Sequence, residues 1–434
     1  MGDTTSARPA VIPALGKVAA ALKEVTEVLA REIAEPTRHP PPWNDFEWRI
    51  ARAVTAMQGT ASILDGRLRW TRPPAWRRFL EEQRDHIGRR HGRIELLLDA
   101  LDSKARSGGI SLVALKGAAL HKMAIYAAGE RPMADIDLLA QECDANAVSK
   151  LIEDCGFEST LVTRRDLTFE PRRGDDSARA GLGGDAGLAE PGMLAEPGGL
   201  GEHADGAIKI ELHTRIREPL PFSEIDITRH VSPRPARAGI NGYPSNAALM
   251  LHLLLHAAGN MRAHGLRLIQ LNDIARLAAE FRPADWEKLL CVADDDGGLW
   301  WAAAPLMMTA RYFPAAIPRF ATARLESVCP RLLRRIISGQ RLYDVSWSNI
   351  RVYAFPGIEW SRTPKEAFRF IMSRVLPAQE ALRELREFAS HQPGVSAVPW
   401  YGVSHGTRIL RWVFSKPPRV QCMLAVRAAL DLPS

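Results

Sequence analysis

Met133-Ala134-Asp135-Ile136-Asp137-Leu138-Leu139 is the stretch that decides how this 434-residue chain is read. On an extended strand successive side chains alternate between faces. Asp135 and Asp137 therefore share one face, while Ile136 and Leu138 point into a core. Two adjacent carboxylates repel each other, and a divalent cation relieves that repulsion. Magnesium takes oxygen ligands, usually one or two carboxylates together with substrate phosphates. An isolated Asp-x-Asp is more often a solvated pair at a strand end, so its neighbours must carry the argument.

Upstream lies Leu112-Val113-Ala114-Leu115-Lys116-Gly117-Ala118-Ala119-Leu120. The apolar run Ile110–Leu115 reads as a buried strand, and Lys116-Gly117 turns it into a helix over roughly Ala118–Ala127. A helix start offers free N–H groups and the positive end of a dipole to a phosphate. Gly117 allows close approach to the backbone, and Lys116 adds a charge. Downstream, Ala207-Ile208-Lys209-Ile210-Glu211-Leu212-His213 alternates again, with Ile208, Ile210 and Leu212 on one face and Lys209, Glu211 and His213 on the other. Alone, each segment reads as a turn or a mixed-charge strand face.

The organisation around these segments is mostly helical. Leu15, Val18, Leu22, Val25 and Leu29 form an apolar stripe at helical spacing, ended by Pro36 and Pro40–Pro42. Phe46, Ile50, Val54, Met57, Ala61 and Leu64 repeat it, and a third helix starts near Pro74. Residues 1–105 are expected to be a helical region and 106–235 an α/β core with strands at Met133–Ala140, Phe157–Thr163 and Ile208–Ile216. Within that core 173–206, rich in Gly, Ala and Asp, is too poor in apolar surface to order itself and reads as a flexible loop. Residues 236–390 read as a second helical region, and 391–434 as a tail of no legible pattern.

Composition narrows the classes. A hydrophobic content of 46% and a charged content of 25% are ordinary for a soluble globular protein. No apolar run reaches the roughly 20 residues of a membrane-spanning helix, and the first ten residues lack a secretory apolar core. Five scattered cysteines without C-x-x-C spacing suggest neither a disulfide framework nor a zinc site, and fit the cytoplasm. A formal charge of +7 permits a phosphate-bearing substrate without indicating nucleic acid.

Taken together, Leu115–Leu120, Arg131–Leu139 and Glu211-Leu212-His213 resemble the bacterial uncharacterised nucleotidyltransferase family, within the DNA polymerase β-like nucleotidyltransferase superfamily. His256, the Leu266–Ile274 segment and, more loosely, Leu376-Pro377…Leu382-Arg383 extend the resemblance over about residues 85–390. It implies an α+β fold: a small mixed sheet flanked by N- and C-terminal helical regions. It implies transfer of a nucleoside monophosphate from an NTP to an acceptor hydroxyl with two magnesium ions, the acceptor being a small molecule, peptide or protein. Asp135, Asp137 and Glu211 would be the catalytic metal ligands, and Lys116, Gly117, Arg131 and His213 would contact the nucleotide. One departure stands out: the wider superfamily follows its turn glycine with Ser or Gly, and here Ala118 stands there. Two other readings compete, a non-catalytic nucleotide- or partner-binding module on the same scaffold and a metal-dependent Asp-x-Asp glycosyltransferase. His252 and His256, four residues apart, read as core or cleft histidines rather than zinc ligands. Asp273 reads as an internal ion-pair partner, with Arg267 or Arg276 the nearest cations in sequence.

Overall fold

A computed structural model of the chain describes residues 13–162, 166–172, 207–221, 223–295, 298–377, 379, 382–383, 403–415 and 418–431. The Gly-rich segment 173–206 lies outside them. The N-terminal stripe forms α1 (Leu15–Ala34), and the second forms two helices, α2 (Asp45–Gln58) and α3 (Ala61–Arg67). The break has a local cause. Asn44 opens α2 with a capping box against Glu47, and Gly59 closes it in the left-handed conformation at φ 66°. Then α4 runs from Pro74 to Ser107, with a proline in its first turn.

The strands are β1 (Ser111–Ala114), β2 (Asp135–Ala140), β3 (Phe157–Val162), β4 (Asp166–Pro171) and β5 (Lys209–His213), a hairpin of β6 (Arg217–Leu220) and β7 (Ser223–Asp226), and β8 (Gly239–Asn241). Six of them form one mixed sheet in the order β3-β4-β5-β2-β1-β8. Strand β2 runs antiparallel to β1 and parallel to β5, and β4 runs antiparallel to β5. The molecule is an α+β protein. Strands β4 and β6 to β8 were not anticipated: β8 has three residues, and β6 and β7 have four each, too short for a period of two to show.

Alternation does what the sequence requires of it. Ile136, Leu138 and Ile210 are fully buried on one face of the sheet. They pack with Leu98 and Leu101 of α4 and with Val148 and Ile152 of α6 (Ala145–Glu153). Between β1 and β2, α5 spans Lys116–Lys122, shorter than the expected Ala118–Ala127. It ends where Ala124 turns left-handed at φ 54°, and the freed chain carries Tyr126 and Arg131 back towards the sheet.

A second, larger core joins α1 to α3 with the C-terminal helices. At its centre lies α7 (Asn246–Arg262), begun by Ser245, whose side chain accepts from the N–H of Ala248. This helix is apolar nearly all round and is buried accordingly. α8 (Leu268–Ala279) packs beside it. The tail supplies two further helices among the described residues, His405–Ser415 and Val420–Ala429. Buried Cys422 and Val426 of the second join the same core as α2.

Candidate active site

Strands β2 and β5 bring the acids together by register. Asp137 pairs with Glu211 and Asp135 with Lys209 in the parallel ladder, and paired positions face the same side. Leu139 pairs with His213, so Glu211 and His213 lie on the face of Asp135 and Asp137, as the alternation predicts. On the other side of β5, Thr168 of β4 pairs antiparallel with Glu211. Arg90, a buried residue of α4 that no sequence pattern marked, clamps the strand starts. Its Nε donates to the carbonyl of Met133 at 2.8 Å, and its Nη2 donates to the carbonyls of Ala134 and Ala207 at 2.5 and 3.2 Å.

Lys116 stands where β1 turns into α5. Its φ of 43° is a left-handed conformation that costs a non-glycine residue energy and tends to occur at functional sites. From there Nζ donates to Asp137 Oδ1 at 2.7 Å. His213 Nε2 lies 3.0 Å from the same oxygen and 3.8 Å from Glu211 Oε2. The backbone N–H of Lys116 donates to Tyr243 Oη at 3.2 Å, and that hydroxyl lies 2.7 Å from His252 Nδ1.

The acids differ electrostatically. Burial raises the Asp137 carboxyl, but the Lys116 ammonium and the contact with His213 outweigh it and hold the group well below the usual range. For Asp135, burial and the neighbouring Asp137 charge push the carboxyl up. Glu211 is pushed up to about 8, first by burial and then by Asp137 and Asp135. Burial alone would lower Lys116, yet Asp137 and Asp135 raise it and keep it charged. His252 and His256 are held neutral, by burial first and the Lys116 charge second. With its ring neutral, His252 Nδ1 can accept from the Tyr243 hydroxyl.

Gly117 has no room for a side chain. A Cβ there would lie 2.6 Å from Arg131 Nη1 and 2.9 Å from Met133 Sδ. Arg131 in turn is fixed by a two-pronged pair with Asp273 of α8, Nε to Oδ1 at 2.8 Å and Nη2 to Oδ2 at 2.7 Å. Tyr126 Oη donates to the same carboxylate at 2.7 Å. Asp273 is thus an ion-pair partner as expected, but of Arg131. Arg276 pairs instead with Glu130, and Arg267 donates to the carbonyl of Met57 at 2.9 Å. Ala118 is buried in the apolar core under the sheet. A serine there would bury its hydroxyl away from the cleft, so the missing serine removes no contact from it.

These residues wall a cleft of about 340 Å3, lined by Lys116, Gly117, Arg131, Asp135, Asp137 and Glu211 and, from the helical side, by His256, Asn260, Gly265, Arg267, Gln270 and Trp347. A second cavity of about 200 Å3 shares Lys116, Glu211, His256 and Asn260 and adds Asp166, His213, Arg217 and Glu218. The helical wall follows from spacing. His252, His256 and Asn260 recur every four residues, one polar stripe on an otherwise apolar α7. The sequence shows that stripe, and Asn260 extends the pair of histidines already singled out.

The donor chemistry fits a divalent ion. Among the described residues, Asp137, Glu211 and His213 form the group whose ligand atoms all lie within 4.8 Å of one another. Asp135, expected in that group, lines the same cleft. Carboxylate oxygens suit magnesium, whereas an imidazole suits softer metals. The His213 ring therefore serves a magnesium site best as a hydrogen-bond partner of Asp137.

A mixed sheet whose carboxylate cluster lines a polar cleft, walled on the other side by residues 253–270 and Trp347, is the site of this α+β protein. The chain belongs to the uncharacterised nucleotidyltransferase family, whose model matches residues 44–314. The match begins earlier than the expected ~85 and stops short of the Leu376-Pro377…Leu382-Arg383 segment. No curated protein and no solved structure gives a match.

Proposed function

We propose that the cleft transfers a nucleoside monophosphate from an NTP to an acceptor hydroxyl, releasing pyrophosphate, on a polymerase β-like core. The observation that carries this reading is the in-register pairing of Asp137 with Glu211, beside Asp135 and a charged Lys116. Membership of a nucleotidyltransferase family supports it. Asp135, Asp137 and Glu211 would hold magnesium, two ions at full occupancy, which would supply charge for the phosphates and acidify the acceptor hydroxyl.

The chain's own groups do the rest. Lys116 Nζ places a fixed positive charge at the acid cluster. Gly117 brings backbone within reach of a phosphate, and Arg131, locked on Asp273, adds an immobile guanidinium to the same wall. Such preorganised charge is the main lever in phosphoryl transfer. The acceptor proton would pass to one of the two paired carboxylates, Asp137 or Glu211. The acceptor belongs to the second cavity, which adjoins the first at Lys116 and Glu211. A cytoplasmic setting fits the cysteines, all unpaired.

The test uses the full chain with magnesium, a cell extract as acceptor source, and each NTP labelled at the α-phosphate in one arm and the γ-phosphate in the other. Transfer of α-label to a product, with the γ-label released as pyrophosphate, is expected. Binding of NTP without transfer of either label would favour the non-catalytic alternative.

A further inference from the structure

The family match ends at residue 314, yet the cleft does not. Trp347 lines it together with Lys116, Asp135, Asp137 and Glu211. We infer that Trp347 is the platform on which the base of the nucleotide stacks, an inference that rests on the nucleotidyltransferase reading of the cleft.

Three observations carry it. First, Trp347 is the one Trp, Tyr or Phe among the described lining residues; the remainder of that wall is polar, charged or aliphatic. A base needs an apolar π-face, and its stacking on an aromatic ring contributes about 1–3 kcal/mol. Second, the ring is held in place. The N–H of Trp347 donates to the carbonyl of Leu266 at 3.2 Å, and the N–H of Leu266 donates to the carbonyl of Val345 at 3.0 Å. This short bridge ties the ring's backbone to the loop that joins α7 to α8. The Arg419 guanidinium lies 5.1 Å from the ring centroid. Arg419 is itself anchored by donating to the carbonyl of His264 at 2.7 Å. A ring so fixed loses little freedom on binding.

Third, its surroundings are open and offer edge contacts. Gly265 lines the cleft beside the indole, and a Cβ at that position would lie 4.0 Å from Trp347 Nε1 and 3.8 Å from Asn260 Oδ1. Asn260 Nδ2 is directed at His256 Nε2, 3.2 Å away. That leaves the amide oxygen near the indole as an acceptor for an exocyclic amine of a base. The acid cluster would thus hold the phosphate end, and the C-terminal helical region, through Trp347, would hold the base.

The experiment measures binding of magnesium tripolyphosphate and of each magnesium NTP by calorimetry, in the full-length wild type and in Trp347→Phe, Trp347→Leu and Trp347→Ala. The readout is the ratio of NTP to tripolyphosphate affinity for the tightest NTP. A fall of roughly 5- to 150-fold in Trp347→Leu and Trp347→Ala, with Trp347→Phe retaining most of the ratio, is expected. Should Trp347→Ala fail to fold, Trp347→Leu keeps the apolar bulk against Arg419 and carries the comparison, with tripolyphosphate binding as its fold control. An unchanged ratio in Trp347→Leu overturns the platform and leaves the catalytic reading standing. A wild type that binds neither ligand overturns the catalytic reading and the platform with it.

Discussion

The two aspartates of Asp135-x-Asp137 look equivalent in sequence and should behave oppositely when neutralised. Asp137 has a side chain 6% exposed and accepts from Lys116 Nζ at 2.7 Å, with His213 Nε2 at 3.0 Å. Asp137→Asn keeps an amide oxygen that can accept from Lys116 Nζ but leaves that buried ammonium without its contact counter-charge. Truncating one member of a buried pair costs about 3–5 kcal/mol. Here the charges of Asp135 and Glu211 remain close enough to repay part of that, so about 2–3 kcal/mol of stability should be lost without metal. Asp135→Asn removes a carboxyl that burial and Asp137 already disfavour in its ionised form. Its effect should lie between zero and a gain of about 1 kcal/mol.

Chemical unfolding at pH 7.5 with a chelator reads the difference. Because the Asp137 carboxyl is depressed, its contribution is present above the ordinary Asp range near pH 4 and is lost as pH falls through its folded value. The gap between the variants should therefore shrink in acid. With magnesium and NTP added, both variants should lose the ligand-induced stabilisation, which for wild type at a hundredfold excess over Kd is about 2.7 kcal/mol. Equal destabilisation by the two substitutions without metal would refute the assignment of Lys116 to Asp137.

The elevated Glu211 works with the opposite sign. Its stabilising protonated form is fully present below about pH 4.5 and is lost as pH rises through about 8. Glu211→Gln should flatten the decline in stability between those values, and magnesium binding near pH 7 should release close to one proton, read by calorimetry in buffers of different ionisation enthalpy. No proton release from wild type, or an unaltered stability profile in Glu211→Gln, would count against the raised carboxyl. Gly117→Ala must displace Met133 or pull Arg131 from Asp273; a loss of about 1–3 kcal/mol with weaker tripolyphosphate binding is expected, and wild-type melting would contradict the crowding. Asp273→Asn leaves Arg131, 11% exposed, without its counter-charge. A loss of about 3 kcal/mol or more is expected, and Asp273→Asn combined with Arg131→Gln should recover part of it. Additive losses would show that the pair does not act as a unit.

Much of the site could be read from the chain before any tertiary contact was known. Alternation alone assigned Asp135 and Asp137 to one face and Ile136 and Leu138 to the other, because a period of two leaves a buried strand no other solution. The same rule placed Glu211 with His213. The Lys116-Gly117 turn followed from a short apolar run that stops at a glycine, and the helical flanks followed from their stripes. These features are local, and local sterics and burial fix them.

What the sequence did not decide is pairwise. Nothing in the spacing says that β2 and β5 run parallel with Asp137 opposite Glu211, since the strands are separated by a long connection and register is set by the ladder. Lys116 could have faced solvent or phosphate; its left-handed backbone directs it to Asp137. Arg131 has several acidic neighbours along the chain, yet its partner is Asp273, which only the packing of α8 against the turn brings close. The clamp by Arg90 of α4 and the wall formed by Trp347, in a turn of the C-terminal helical region, come from segments that share no motif with the sheet. Residue type and spacing determined which groups could do the chemistry. The tertiary structure decided which charges meet, because electrostatic energy depends on distance through space rather than along the chain.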